Sequence, residues 1–365
     1  MGTTLDRIDL ANPDNYVERV PFEWFDELRR ERPVSWHDEP GANKGFWAVT
    51  RYDDVRHVLR SPADFSSALG ATHPTGHASA APLFQLEPAH AEYVPVLDGS
   101  KPIYVLVIGS DARPDQEVES QRADSLHILS INPAEHRAAI VGIPRDAYVE
   151  IPGVGQNKIN TALFYGGPDL VVQTVEQLTD LKMDYWAMTG FASFEQMVDD
   201  VDGLVVDVPF AMNDEASRAF FDPGVQRLDG DNALAFARNR HDLPAGDFGR
   251  SENQGRLMVA ALAQLKKEFN KDPARMLIWA ASFVRNGTTT LALDEVLDLA
   301  FTGTAINANK VENVVFPGGT GTVGSLSVVT LNQETLEKIS KDLADDGLLK
   351  KANVPPSPNE PLLGG

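Results

Sequence analysis

Ile103-Tyr-Val-Leu-Val-Ile108 is a continuous apolar run too short for an independent helix and without the alternation of a half-solvated strand. As a strand it must be covered on both faces, and helices are what usually cover such a sheet. The sequence downstream supplies both partners. Ser125–Ile131, Ala138–Ile143, Tyr185–Met188, Gly203–Val208 and Val311–Phe316 read as further strands. Helical spacing marks Asp169–Leu181, Phe194–Val201, a long stretch after Asp247, and segments near 274–284, 294–301 and 332–344. In the long stretch Met258, Ala261, Leu262, Leu265 and Phe269 form the core-facing stripe. Strands alternating with helices predict an α/β domain, with a mixed central β-sheet flanked by helices.

Charge removes several function classes. The chain has 53 acidic and 32 basic residues, a net charge of -21 and a pI near 4.7, so no nucleic-acid partner is expected. There is no cysteine among the 365 residues, which excludes disulfides, thiolate metal sites, thiolate-ligated haem and a cysteine nucleophile. The most apolar runs, such as Met276–Val284, are too short to span a bilayer, and no basic-then-apolar signal opens the sequence.

Against that acidity, Phe236–Arg256 holds Arg238, Arg240, Arg250 and Arg256. Guanidinium is the side chain for planar, multi-point contact with phosphate. Arg238 and Arg240 share a face only on an extended backbone. Asp231 is expected to cap a short helix that ends near Ala237, and Asp247 to cap the next, which carries Arg250 and Gln254 four apart. The competing reading pairs these arginines with Asp242, Asp247 and Glu252, and spends Ser251 and Gln254 on a capping box.

Two more turns follow strands, where ligands of open α/β sheets bind. Gly109-Ser-Asp-Ala-Arg-Pro114 and Gln121-Arg-Ala-Asp-Ser125 carry Asp111 and Asp124, which could share one hard cation such as Mg²⁺, with Arg122 beside them. The alternative is a pair of turn aspartates serving local amides. Gly142-Ile-Pro-Arg-Asp146 adds Arg145, and Asn157-Lys-Ile-Asn-Thr-Ala162 adds Lys158.

The ends read differently. Residues 1–72 predict a small α+β fragment: a helix through Phe22, Trp24, Phe25 and Leu28, a hairpin of Val34–Trp36 with Gly45–Thr50, and a helix over Asp53–Leu59. The wording Phe22-Glu-Trp-Phe-Asp-Glu-Leu-Arg-Arg-Glu-Arg-Pro33, Gly45-Phe-Trp-Ala-Val-Thr-Arg-Tyr-Asp-Asp-Val55 and Ser61-Pro-Ala-Asp-Phe-Ser66 resembles the N-terminus of an actinobacterial cytochrome P450. The likeness stops near Ala71, before anything that could hold haem, so it implies a truncated fragment without P450 chemistry. Residues 73–100 read as a linker and 347–365 as a Pro-rich tail.

Gly109-Ser-Asp-Ala-Arg113, Arg122-Ala-Asp-Ser125, Ile143-Pro-Arg-Asp146, Lys158-Ile-Asn-Thr-Ala162 and the Arg238–Arg256 stretch occur together, in that order. Together they resemble the LytR-CpsA-Psr family, phosphotransferases that attach glycopolymers to cell walls, over about residues 101–346. The resemblance implies an α/β domain that takes a polyprenyl diphosphate-linked glycan and a peptidoglycan acceptor, and meets the membrane surface through its lipid substrate. It implies Asp111 and Asp124 as ligands of Mg²⁺ or Mn²⁺, without haem, and Arg122, Arg145, Arg238, Arg240, Arg250 and Gln254 as diphosphate contacts. Ala123 stands where the family often has serine. Asp247 is the preferred catalytic base, since a metal-bound aspartate has its lone pairs engaged, and it joins Arg238 and Arg240 as the expected catalytic set. Leu163, Phe164, Val171, Val175, Phe191 and Phe194 are candidate lipid-lining residues, with core packing as the commoner fate of such stripes. An actinobacterial source would make an arabinogalactan-type polymer the natural cargo. The family works on the extracytoplasmic face of the membrane, whereas the absence of an anchor or signal here leaves a cytoplasmic location open. The alternative function is a lipid- and glycan-binding fusion remnant without turnover.

Overall fold

The apolar run 103–108 lies within β3 (Ile103–Ser110) of the computed structural model, in the interior of a six-stranded sheet. The structure describes residues 8–10, 22–37, 46–51, 54, 101–112, 118 and 121–359. Two compact units divide the chain, Met1–Glu92 and Tyr93–Gly365. In the first, α1 (Phe22–Glu31) buries Leu28 against Ile8 and Leu10, while β1 (Val34–His37) pairs antiparallel with β2 (Phe46–Val49). Trp36 faces Trp47 across that hairpin, ring centroids 5.4 Å apart and edge to face. This is the expected α+β arrangement; the expected helix over Asp53–Leu59 and the linker 73–100 lie outside the described residues, Asp54 apart.

In the second unit β4 (Ala123–Asn132) and β5 (Arg137–Gly142) continue antiparallel from β3. β6 (Tyr148–Ile151) and β7 (Gly155–Lys158) form a separate hairpin that leads into α2 (Thr161–Thr179). β8 (Tyr185–Thr189) returns parallel to β3 on its other side. Next come α3 (Phe191–Asp200), β9 (Leu204–Val208), the hairpin of β10 (Met212–Asp214) and β11 (Ala219–Phe221), and β12 (Gly224–Leu228), which pairs with β9. Helices α4 (Gly230–Arg238), α5 (Asp247–Lys271), α6 (Arg275–Asn286) and α7 (Leu293–Ala305) follow, with β13 (Thr288–Thr289) closing the β8 edge antiparallel. β14 (Glu312–Val315) closes the other edge parallel to β5, and the hairpin β15 (Gly318–Val323) and β16 (Leu326–Leu331) leads to α8 (Gln333–Asp346). Parallel and antiparallel pairs in one sheet make it the mixed sheet expected from sequence.

Successive side chains of β3 enter different cores. Ile103 and Val105 pack with Tyr185, Ala280 and Leu297 toward α6 and α7, and Leu106 and Ile108 pack with Val171, Val175, Ile339 and Leu343 toward α2 and α8. Each such side chain, fully buried, contributes about 1.5–3 kcal/mol of transfer free energy. Both faces are therefore covered, for the reason the unbroken run demanded.

Two expectations change. The helix expected to start at Asp169 begins at Thr161, but Gly166 and Gly167 (φ +65°) break it, and Pro168 opens the second part at a position where proline is tolerated. In α5 the polar residues Arg250, Ser251, Glu252, Asn253 and Gln254 are all buried, whereas Met258, Ala261, Leu262 and Phe269 are only partly so. The 347–365 segment, read as a Pro-rich tail, is packed at its start: Gly347 ends α8 in the left-handed region (φ +76°), and Leu348 and Leu349 are buried. Buried acceptors hold it down. Asp342 accepts from Lys350 N–H (2.9 Å), and the Glu252 carboxylate accepts from Ser357 Oγ (2.6 Å). Among the described residues no helix is long and apolar enough to cross a membrane.

Candidate active site

The β3–β4 ladder slips by one residue at its end. Gly109 pairs with Ser125 and Ser110 with Ala123, so Asp124 is the extra residue of a bulge, a device that re-aims a side chain out of the ladder. A Cβ on Gly109 would come within 2.8 Å of Ser125 Cβ, so the close approach there requires glycine. Just beyond, Asp111 N–H donates to Arg122 O (3.0 Å) and Arg122 N–H donates to Asp111 Oδ1 (2.9 Å). Both predicted metal ligands thus sit where two antiparallel strands end together. Burial raises the Asp111 carboxyl above its usual range, and the charge of Asp124 adds to the rise despite Arg122 and Arg145.

Arg145 sits in the turn after β5, fixed by Ala147 N–H donating to Pro144 O and Asn160 N–H to Arg145 O. Its guanidinium donates to Asp124 Oδ1 and lies 3.5 Å from Asp247 Oδ1. Burial alone would lower its pKa; Asp124 and Asp247 outweigh that and raise it, so it stays cationic. Arg250, on the first turn of α5, donates to Asp247 Oδ1. Burial nevertheless depresses it, and Arg145 and Arg240 push the same way. The guanidiniums of Arg145, Arg240 and Arg250 therefore lie close enough to act on one another.

Helix α4 ends at Arg238, and Asn239 takes an extended backbone, which lets Arg238 and Arg240 reach the same cavity. Arg238 stacks over the Phe191 ring (4.8 Å to the centroid). The caps differ from expectation: Asp229, not Asp231, caps α4 by accepting from Asn232 N–H, and α5 starts after Gly246 (φ +54°) without a side-chain cap. Asp247 is instead turned toward arginines.

These side chains enclose two adjoining chambers. One, of about 180 Å³, is lined by Asp124, Arg145, Ser217, Arg238, Arg240, His241 and Arg250. The other, of about 340 Å³, is lined by Asp111, Arg122, Asp124, Arg145, Asp146, Lys158, Asn160 and Arg240. Asp124, Arg145 and Arg240 border both, so an anion in the first and a cation in the second would lie side by side. Asn160 Oδ1 is buried without a hydrogen-bond partner. An orphaned amide oxygen beside two carboxylates is a hard donor set that fits Mg²⁺ or Mn²⁺, with water and substrate phosphate completing it. Among the described residues no group of three or more His, Cys, Asp or Glu side chains could hold a metal, so the amide matters to that fit.

Not every predicted residue reaches the chambers. Gln254 Nε2 donates to Ala237 O (3.1 Å) and Asp124 O (3.4 Å), tying α5 to the end of α4 and to β4 rather than lining either chamber. Asp247, the expected base, also lines neither; its Oδ1 faces Arg250 and Arg145, and its Oδ2 is buried without a hydrogen-bond partner. Lys158 does line the second chamber, where it pairs with Asp146 (3.2 Å). The proposed lipid lining splits. Leu163, Val171 and Val175 are fully buried core, where α2 meets the sheet. Phe164 is exposed, Phe191 lies under Arg238, and Phe194 packs on the core around Phe236. Sequence reasoning missed Asn160, His241 and Asp214. His241 Nδ1 lies 3.1 Å from Asp214 Oδ2, but Asp214 comes from the β10–β11 hairpin, and no local spacing signals that pair.

The LytR_cpsA_psr family model matches residues 72–345, starting earlier than the boundary at 101 read from composition. The polyisoprenyl-teichoic acid–peptidoglycan teichoic acid transferase TagU of Bacillus cereus is 38% identical over 164 residues, 45% of this chain and 52% of that relative. The match thus spans about half the length of that relative. The crystal structure of B. subtilis TagV superposes with a TM-score of 0.59 at 28% identity, over 68% of this chain and 98% of that one. A structure of the LytR-CPS2A-psr family protein YwtF (TagT) with bound octaprenyl pyrophosphate lipid superposes with a TM-score of 0.54 at 26% identity, over 71% and 95% of the two chains.

Proposed function

This chain belongs to the LytR-CpsA-Psr family, and from that premise we propose that it is a phosphotransferase moving a glycopolymer from a polyprenyl diphosphate carrier to a peptidoglycan sugar hydroxyl. The observation that carries the reading is the gathering of Arg145, Arg238, Arg240 and Arg250 around one chamber of an acidic protein. Like charges crowded in this way are unfavourable until an anion joins them. A diphosphate supplies that anion, and the relative with octaprenyl pyrophosphate bound makes a polyprenyl chain its natural substituent.

The arginines hold the diphosphate so that the phosphorus bearing the glycan faces the acceptor. As the acceptor oxygen bonds to that phosphorus, the bridging P–O bond breaks and polyprenyl phosphate leaves. Negative charge accumulates on the leaving phosphate, and the preset guanidiniums stabilise it without reorganising; one such donor is worth about 2.7–4 kcal/mol in the transition state. Asp247 serves this step from behind, keeping Arg250 and Arg145 aimed. Asp111, Asp124 and the Asn160 amide would hold Mg²⁺ or Mn²⁺, which supplies further charge neutralisation at the diphosphate.

For the N-terminal unit our reading is a truncated P450-like piece, supported by its sequence likeness and by the helix and hairpin described there. Without cysteine it has no thiolate for haem. The proposed substrate pair supports the extracytoplasmic membrane face as the site of the reaction. Incubation of the protein with an undecaprenyl diphosphate-linked oligosaccharide, Mg²⁺ and peptidoglycan fragments tests the whole reading. Mass spectrometry should find undecaprenyl monophosphate and a glycan–phosphate–peptidoglycan adduct. Binding of the lipid with neither product would leave the remnant without turnover as the better description.

A further inference from the structure

Asp214 closes β10 and is 4% exposed, yet it is a fully engaged carboxylate. Ala216 N–H donates to its Oδ1 (2.9 Å), Arg240 N–H (3.3 Å) and His241 N–H (3.4 Å) to its Oδ2. Burial acts to raise its pKa, but these donors and the His241 ring overcome that and hold it well below the usual carboxylate range. An ionised carboxylate only accepts hydrogen bonds. His241 Nδ1, 3.2 and 3.1 Å from the two oxygens, must therefore be the protonated nitrogen. In the neutral ring that leaves the lone pair on Nε2. His241 belongs to the lining of the arginine chamber, with Arg238, Arg240, Arg250 and Asp124.

Two other carboxylates of that site are paired with arginines. Asp124 accepts from Arg145, and Asp247 braces Arg250 and Arg145. Asp247 lines neither chamber, although its Oδ2 is unpartnered, and Asp124 lines the chamber already bonded to Arg145. His241 is the one titratable side chain around this chamber that combines a fixed tautomer with a place in the lining.

We propose that His241, oriented by Asp214, is the general base that takes the proton of the acceptor hydroxyl. The inference rests on the transferase reading and adds to it the missing proton acceptor. The balance is complete without another reactant. The acceptor O–H proton moves to Nε2 as its oxygen bonds to the glycan-bearing phosphorus. The bridging P–O bond then breaks, its electron pair leaves with polyprenyl phosphate, and the imidazolium returns its proton to water. Asp214 is a positioning residue that fixes the ring and stabilises the imidazolium.

The test uses the full chain and its His241→Ala variant, whose side chain is exposed enough to be removed without disturbing the core. The parent should transfer glycan phosphate from undecaprenyl diphosphate-linked oligosaccharide to peptidoglycan fragments. His241→Ala should lose about 10²–10⁴-fold in kcat, the usual worth of a general base. Its affinity for octaprenyl diphosphate, measured by calorimetry, should stay within about threefold of the parent, as expected when a proton-transfer group rather than a binding group is removed. Free imidazole should restore part of the variant's rate, and ¹⁵N NMR of the parent ring should report the Nδ1-protonated tautomer. A variant that transfers at the parent rate overturns the role of His241 and leaves the transferase reading standing. A slow variant that imidazole does not restore, or a parent ring protonated at Nε2 when neutral, also overturns it, because a structural role predicts no rescue. If the parent binds the lipid and transfers nothing, the transferase reading falls and this inference falls with it.

Discussion

Replacing Arg145 by Met should uncouple the anion chamber from the cation chamber, because this one guanidinium reaches Asp124 and Asp247 together. Its side chain is 22% exposed, and those of Asp124 and Asp247 are 14% and 12% exposed. Stripping a cation from mostly buried carboxylates costs about 3–5 kcal/mol, and access of water to the cavity favours the lower end. At about 2 °C per kcal/mol for a large domain, a loss of about 3 kcal/mol lowers Tm by about 6 °C. Asp124→Asn removes one of the stranded charges. In a double-mutant cycle Arg145→Met with Asp124→Asn should therefore melt above the sum of the single losses, with a coupling of about 1–3 kcal/mol. Differential scanning calorimetry at neutral pH measures the four corners. Octaprenyl diphosphate affinity should fall with Arg145→Met by about 2–3 kcal/mol, the worth of a charge-assisted contact, and should not recover in the double variant. Strictly additive Tm losses would show that Arg145 and Asp124 do not interact, and the shared wall between the chambers would have to be abandoned.

Gly109→Ala should push the bulge out of register, because the new methyl would sit 2.8 Å from Ser125 Cβ inside a paired ladder. A loss of about 1–3 kcal/mol in urea unfolding is expected from such overpacking, together with loss of glycan transfer as Asp124 is re-aimed. Gly319→Ala, with nothing within 4 Å of its Cβ, should change neither, and equal effects at both sites would refute the bulge argument. His127 is fully buried, its Nε2 donating to Ser251 O (2.9 Å) beside Arg250, and burial drives its pKa down to about 4 from 6.5. A depressed folded-state pKa gives stability that is present above pH 6.5 and lost as pH falls toward 4, about 3 kcal/mol in all. His127→Asn should make stability less sensitive to pH across that window in urea titrations; an unchanged slope would show that His127 already binds a proton in the folded state.

What the sequence made legible follows the range of the physics involved. The run Ile103–Ile108 announces a doubly covered strand because burial on both faces is a local property of composition, and the sheet bears this out. Arg145, Arg238, Arg240 and Arg250 were recognisable as one set because they share a chemistry, and they do line one chamber. Local capping was harder. Asp229 and Asp231 both suit a helix start, and only the extended backbone at Asp229 decides between them. Asp247 suits a cap or a base from its place at the start of α5; its pairing with Arg145, brought in by the sheet, has no local mark in the sequence. The bulge at Asp124 leaves no sequence mark, because it depends on how Ser110 and Ala123 pair across two strands. Asp214 and His241 are the extreme case. Each alone is an ordinary surface-loop residue type, and their pairing exists only because the β10–β11 hairpin packs against the turn after α4. Residues whose chemistry is carried by one side chain can be read from the chain in order. Residues whose chemistry depends on a partner's charge become readable only when the fold has chosen the partner, and in this site that boundary separates the anion-holding arginines from the group proposed to move the proton.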